Sequence, residues 1–301
     1  MKLTLYWILL ATAVLAGCTT GTSSSYLRLE RDPVQVDQTH PPALVELNFK
    51  SYGQRLNGIL YQANGAGPHP TVVLLHGYPG NEKNLDLAQT LRRTGYNVLF
   101  FHYRGAWGSE GNFSFMNVVA DVGSALAFLR ANAKQYRVDA EQLLLVGHSM
   151  GGFAALQGAA QDKAVSCVVA IAPANVGLIA DLVKSDANAA KSFSAGADAL
   201  SMLHGWSGEK VLTELENNRD AMSLVDNASR LNGKSVLLIA GDKDTTLSPE
   251  VFHNPLVAAY EQQPNIDLTH TVISGDHSFS WSRIQLTTTV MDWIAGCDSA
   301  R

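Results

Sequence analysis

The chain has 301 residues, 46% of them hydrophobic, enough to bury one large core without metal or disulfide staples. Its 22 Lys and Arg against 27 Asp and Glu give a net charge of −5, and no basic run or stripe stands out, which argues against a nucleic-acid partner. The nine histidines are scattered, and neither H-E-x-x-H nor a paired C-x-x-C occurs, so no metal centre and no cofactor are expected.

The chain opens on Met1-Lys2 and a nearly charge-free apolar run from Leu3 to Leu15. The run is too short to cross a bilayer comfortably, so residues 1–17 read as a signal peptide. It ends in Leu15-Ala16-Gly17-Cys18. That ending resembles the bacterial lipobox, whose cysteine becomes lipid-modified and begins the mature protein. The resemblance implies Cys18 as a lipid anchor and a location in the cell envelope. Thr19 follows the cysteine, not the aspartate associated with inner-membrane retention, which tilts the expectation toward the outer membrane. Residues 18–30 then form a tether, its first part the small polar run Thr19 to Ser25, which has nothing to bury. Residues 31–301 form the domain.

Leu44 to Phe49 and Leu56 to Tyr61, separated by Ser51-Tyr52-Gly53-Gln54, read as an antiparallel hairpin at a sheet edge. From there the pattern changes to continuous apolar runs: Val72 to Leu75, Val98 to Phe101, Leu143 to Val146, Val168 to Ile171 and Val236 to Ile239. Strands of this kind are buried on both faces, as in a parallel sheet covered by helices. Helical patterns lie between them at about 83–94, 116–133 and 150–161. The alternation predicts an α/β fold with a mostly parallel, doubly wound sheet. Residues 174–232 break the rhythm and are too long for a simple crossover. They read as a helical cap inserted over the carboxyl edge of the sheet. In the domain, Cys167 and Cys297 read as two separately packed thiols, with a bridge as the alternative that an exported compartment permits.

The chemistry centres on Leu143 to Leu156, where Gly147-His148-Ser149-Met150-Gly151 joins a strand to a helix. This is G-x-S-x-G in the strand-turn-helix setting that makes it a nucleophile elbow. Glycine is needed at 147 and 151, where a side chain would strike neighbouring backbone. The helix behind Ser149 aims N–H groups at developing negative charge. A serine needs a base and a group to orient that base, in the chain order Ser, then Asp or Glu, then His. Downstream, one strand runs into Gly241-Asp242-Lys243-Asp244, and another, Leu268 to Ile273, runs into Ser274-Gly275-Asp276-His277. Both loops follow strand carboxyl ends, where an open α/β sheet places its site.

Through these motifs, residues 70–296 resemble the α/β-hydrolase superfamily, near its dienelactone hydrolase and prolyl oligopeptidase branches. The resemblance implies Ser149 as nucleophile, His277 as base and Asp244 as the acid, with Asp242 the alternative because Pro249 does not fix one spacing. It further implies an oxyanion hole from the backbone N–H groups of Met150 and Tyr78, the latter in His76-Gly77-Tyr78-Pro79-Gly80. His76 and His148 read as structural, His270 as a sheet residue and Asp276 as a turn former. The loop His102 to Gly111 resembles the family's Tyr-Arg-Gly-x-Gly-x-Ser segment, with Arg104 bracing loops.

The implied activity is hydrolysis of small or medium carboxylic esters through an acyl-enzyme intermediate. A peptidase of the prolyl oligopeptidase kind and a thioesterase or lactonase are the enzymatic alternatives. A non-catalytic envelope lipoprotein that binds a ligand or partner is the alternative of another class.

Overall fold

The computed structural model describes residues 31–299. The expected signal peptide over 1–17, the expected anchor Cys18 and the expected tether over 18–30 lie outside the described residues.

Eight strands form one sheet: β1 (Ala43–Ser51), β2 (Gln54–Gln62), β3 (His69–Leu75), β4 (Asn97–Phe101), β5 (Val138–His148), β6 (Cys167–Ile171), β7 (Ser235–Gly241) and β8 (Asp267–Ile273). Their order across the sheet is β1-β2-β4-β3-β5-β6-β7-β8. β1 pairs antiparallel with β2, and β2 with β4; every later pairing is parallel. The expected hairpin turns at Tyr52-Gly53, both at positive φ. This is the α/β-hydrolase fold.

The continuous apolar strands divide their side chains between two layers, because successive residues point to opposite faces. Val73 and Leu75 of β3 face one core, and Val72 and Leu74 face the other. On the first face pack α2 (Phe115–Ala131), α4 (Met150–Gln161) and α8 (Asn254–Glu261), the last following a π turn over Pro249–His253. On the second face pack α1 (Leu85–Arg93) and α9 (Arg283–Ser299), through Leu87, Leu91, Leu286, Val290 and Ile294. A short α3 (Ala133–Tyr136) precedes β5.

The insertion over 174–232 is helical: α5 (Val176–Ser185), α6 (Ala187–Asp198), α7 (Gly208–Met222) and a 3-10 turn at Ala228–Leu231. Its two ends are stapled together by Asn175, whose Oδ1 accepts from the N–H of Leu178 at 3.4 Å and of Leu224 at 3.0 Å. The insertion is also tied to the body. Glu214 of α7 caps α2, accepting from the N–H of Phe115 at 2.9 Å and of Met116 at 3.0 Å. Residues Met202 to His204 pair with the loop after β4.

One expectation is corrected. Cys167 and Cys297 are not separate thiols but a disulfide, with Cα atoms 6.4 Å apart. The packing of α9 against the second face brings its last turns beside the start of β6. Among the described residues no helix is long and apolar enough to cross a membrane.

Candidate active site

Four strands of the sheet end in loops that converge at its carboxyl edge. β5 ends at the elbow. Ser149 sits there at φ 58 and ψ −121, a conformation in which non-glycine residues are rare. The backbone holds it from three sides: its N–H donates to Ile171 O at 2.9 Å, and its carbonyl accepts from Ala174 and from Phe153 of α4. A Cβ on Gly147 would lie 2.0 Å from Gly151 O, and one on Gly151 would lie 2.1 Å from Leu75 O. Both glycines are therefore steric requirements of the turn, as expected.

The loops after β7 and β8 bring Asp244 and His277 to this serine. The Ser149 hydroxyl lies 3.0 Å from His277 Nε2 and donates to it. His277 Nδ1–H donates to Asp244 Oδ2 at 2.6 Å. Asp244 is 4% exposed. Burial pushes its carboxyl up, but the hydrogen bonds from His277, Leu247 and Thr246 outweigh it and hold the carboxyl below its ordinary value. Asp244 is thus a charged acceptor at neutral pH. The alternative carboxylate, Asp242, is exposed and does not meet His277; its Oδ1 accepts from Gly275 N at 3.0 Å and ties the β7 loop to the β8 loop. Asp276 closes its own turn on Ser280, and His270 lies within β8.

The loop after β3 flanks the serine. A Cβ on Gly77 would lie 3.0 Å from Ser149 Cβ, so Tyr78 follows directly beside the elbow. Among the described residues neither the Tyr78 nor the Met150 N–H has an acceptor. Met150 is the first residue of α4, where the N–H has no partner within the helix.

Three histidines pin these loops. His76 Nδ1–H donates to Gly77 O at 2.8 Å, which leaves Nε2 to accept from His102 Nδ1 at 3.3 Å. His148 Nε2–H donates to His277 O at 2.7 Å. Burial holds both His76 and His148 neutral, pushing them down to about 3 and about 4. Arg104 braces the β4 loop through a buried pair with Asp121, Nε to Oδ1 at 2.6 Å.

Several contributors have no local signature in the sequence. Trp107 donates from Nε1 to Pro79 O at 2.8 Å and so holds the β3 loop. Arg283 joins Asp86 and Asn84 at the start of α1 to the carbonyl of Ser278, the residue after His277. Trp206 of the cap donates to the Tyr78 hydroxyl. Each pairs residues far apart in the chain, and only the fold brings them together. Among the described residues no group of three or more His, Cys, Asp or Glu is arranged to hold a metal ion.

The family model described as "Alpha/beta hydrolase family" matches residues 72–285. Among curated proteins, the 31.7 kDa protein of the traX-finO intergenic region of Escherichia coli is 29% identical over 103 residues, 34% of this chain and 36% of that one. The chain thus aligns with little more than a third of that relative's length. Among solved structures, Est1E from Butyrivibrio proteoclasticus superposes with a TM-score of 0.61 at 18% identity, over 83% of this chain and 98% of that one. A Pyrococcus furiosus esterase gives a TM-score of 0.60 at 18% identity, over 84% of this chain and 90% of that one. At these identities the structural likeness speaks to the fold.

Proposed function

The chain belongs to the alpha/beta hydrolase family, and from that premise we propose that it is a serine hydrolase that cleaves carboxylic esters. The observation that carries the reading is the unbroken hydrogen-bond series from Ser149 through His277 to Asp244. In this reading Ser149 Oγ attacks the ester carbonyl while His277 Nε2 takes its proton. Asp244 fixes the imidazole tautomer and stabilises the imidazolium. The N–H groups of Met150 and Tyr78 receive the oxyanion; each such donor contributes about a hundredfold or more in rate. His277 then protonates the leaving alcohol, and water releases the acyl group from Ser149 by the reverse sequence. An esterase among the structural neighbours agrees with an ester as substrate. We further propose that Cys18 carries a lipid anchor that holds the enzyme in the cell envelope.

The test is hydrolysis of p-nitrophenyl esters of increasing chain length, beside Ser149→Ala. Activity is expected on short chains and should fall about ten-thousandfold or more in the variant. Ser149-dependent cleavage of aminoacyl-anilides without ester hydrolysis would move the assignment to a peptidase. A folded protein that neither turns over esters nor is labelled at Ser149 by a fluorophosphonate would sink the enzymatic reading. For the anchor, Cys18→Ala should move the protein from the membrane fraction to the soluble one; equal partitioning would refute it.

A further inference from the structure

The cap meets the oxyanion loop at one polar contact that the proposed mechanism does not use. Trp206 Nε1 lies 2.9 Å from the Tyr78 hydroxyl oxygen. An indole N–H can only donate, so the Tyr78 oxygen accepts and its own hydrogen points elsewhere. Among the described residues no acceptor takes that hydrogen. Burial pushes the phenol above its ordinary value despite the bond from Trp206, so the hydroxyl stays a neutral donor.

Its surroundings are apolar and flat. The Tyr78 ring packs 5.8 Å from Phe113 and 5.6 Å from Phe115, centroid to centroid. Trp206 stands edge-on to the same two rings at 5.1 Å and 5.5 Å. Phe113 and Phe115 are each 3% exposed and act as the fixed base of the cluster. Tyr78 and Trp206 are half-buried. The loop that carries Tyr78 adjoins the nucleophile, since Gly77, its neighbour in the chain, abuts Ser149.

We propose that the Tyr78 hydroxyl, aimed by Trp206, is a substrate-binding donor that selects acyl groups with a flat apolar body and an oxygen acceptor, such as alkoxyaryl acids. The proposal rests on the serine hydrolase reading, because it assigns the aromatic cluster to the acyl side of that site. The apolar body lies against the aromatic faces. A ligand oxygen takes the spare hydrogen; a ligand without one leaves a desolvated donor unpaired, which is the stronger source of discrimination.

The experiment measures equilibrium binding, so it needs no turnover. Methyl 4-methoxycinnamate and methyl cinnamate are titrated into the chain carrying Ser149→Ala, followed by calorimetry. The methoxy ester should bind about fivefold tighter, the ratio expected of one hydrogen bond. Adding Tyr78→Phe should bring the ratio close to one. Trp206→Phe, which frees the hydroxyl to rotate, should reduce it and serves on its own where the Tyr78 variant does not fold. Equal affinities in the Ser149→Ala chain, binding of neither ester, or a ratio that survives both substitutions would overturn the proposal. Failure of the underlying reading shows separately, as a wild-type Ser149 that a fluorophosphonate does not label.

Discussion

At the scale of single residues, the elbow was the most legible part of the molecule, because its constraints are local. A chain that turns within one residue of Ser149 leaves no room at 147 or 151, and the sequence shows glycine at both. Gly147→Ala is therefore expected to cost about 3 kcal/mol or more, since its methyl would meet backbone that cannot swing aside; thermal melting reads this directly. The acid was less legible. Asp242 and Asp244 share a loop and a residue type, and spacing alone did not separate them. Burial and direction separate them: Asp244 faces His277, while Asp242 faces solvent and the Gly275 amide. Asp244→Asn should accordingly lower kcat about ten-thousandfold, whereas Asp242→Asn should leave kcat within about tenfold. The lowered Asp244 carboxyl contributes stability that is complete above its ordinary value of 3.8 and is lost only as pH falls through its lower folded value.

At the scale of elements, the strands were legible because burial on both faces writes an unbroken apolar run. The final helix was not read from the sequence. It contains Thr287-Thr288-Thr289-Val290, four β-branched residues in succession, which local propensity disfavours in a helix. Packing overrides that preference: Val290 and Leu286 are fully buried, and the hydroxyls of Thr288 and Thr289 bond back to carbonyls one turn earlier. The same helix carries Cys297 to Cys167, a partner 130 residues away, so the bridge left no spacing signature. A cross-link over a loop of that length constrains the unfolded chain by about 4–5 kcal/mol. Cys167→Ser with Cys297→Ser should lower the urea midpoint accordingly, and reductant should shift the wild type but not the double variant.

At the scale of the whole molecule, the histidines set an acid limit. Burial pushes His76 down to about 3, and His102, His148 and His253 each to about 4. The unfolded chain holds protons on these rings below about 6.5, and the folded chain refuses them until near 4. Stability should therefore be full above about 6.5 and decline as pH falls toward 4, a window above that of Asp244. Urea midpoints at pH 7 and pH 5 should differ in that direction; an unchanged midpoint would contradict the buried neutral state of these rings.

The staple at Asn175 has a consequence for recombination. One side-chain oxygen binds the entry and the exit of the cap, so the inserted segment leaves and rejoins the sheet through a single clasp. A crossover between related chains that keeps Asn175 and the stretch through Leu224 from the same parent carries a closed cassette. Leu178 and Leu224 offer backbone amides, which any parent supplies, so the clasp fails only where the parent that contributes position 175 lacks the Asn, and two amides must then find other acceptors. Chimeras that keep Asn175 should yield more folded protein than those that replace it.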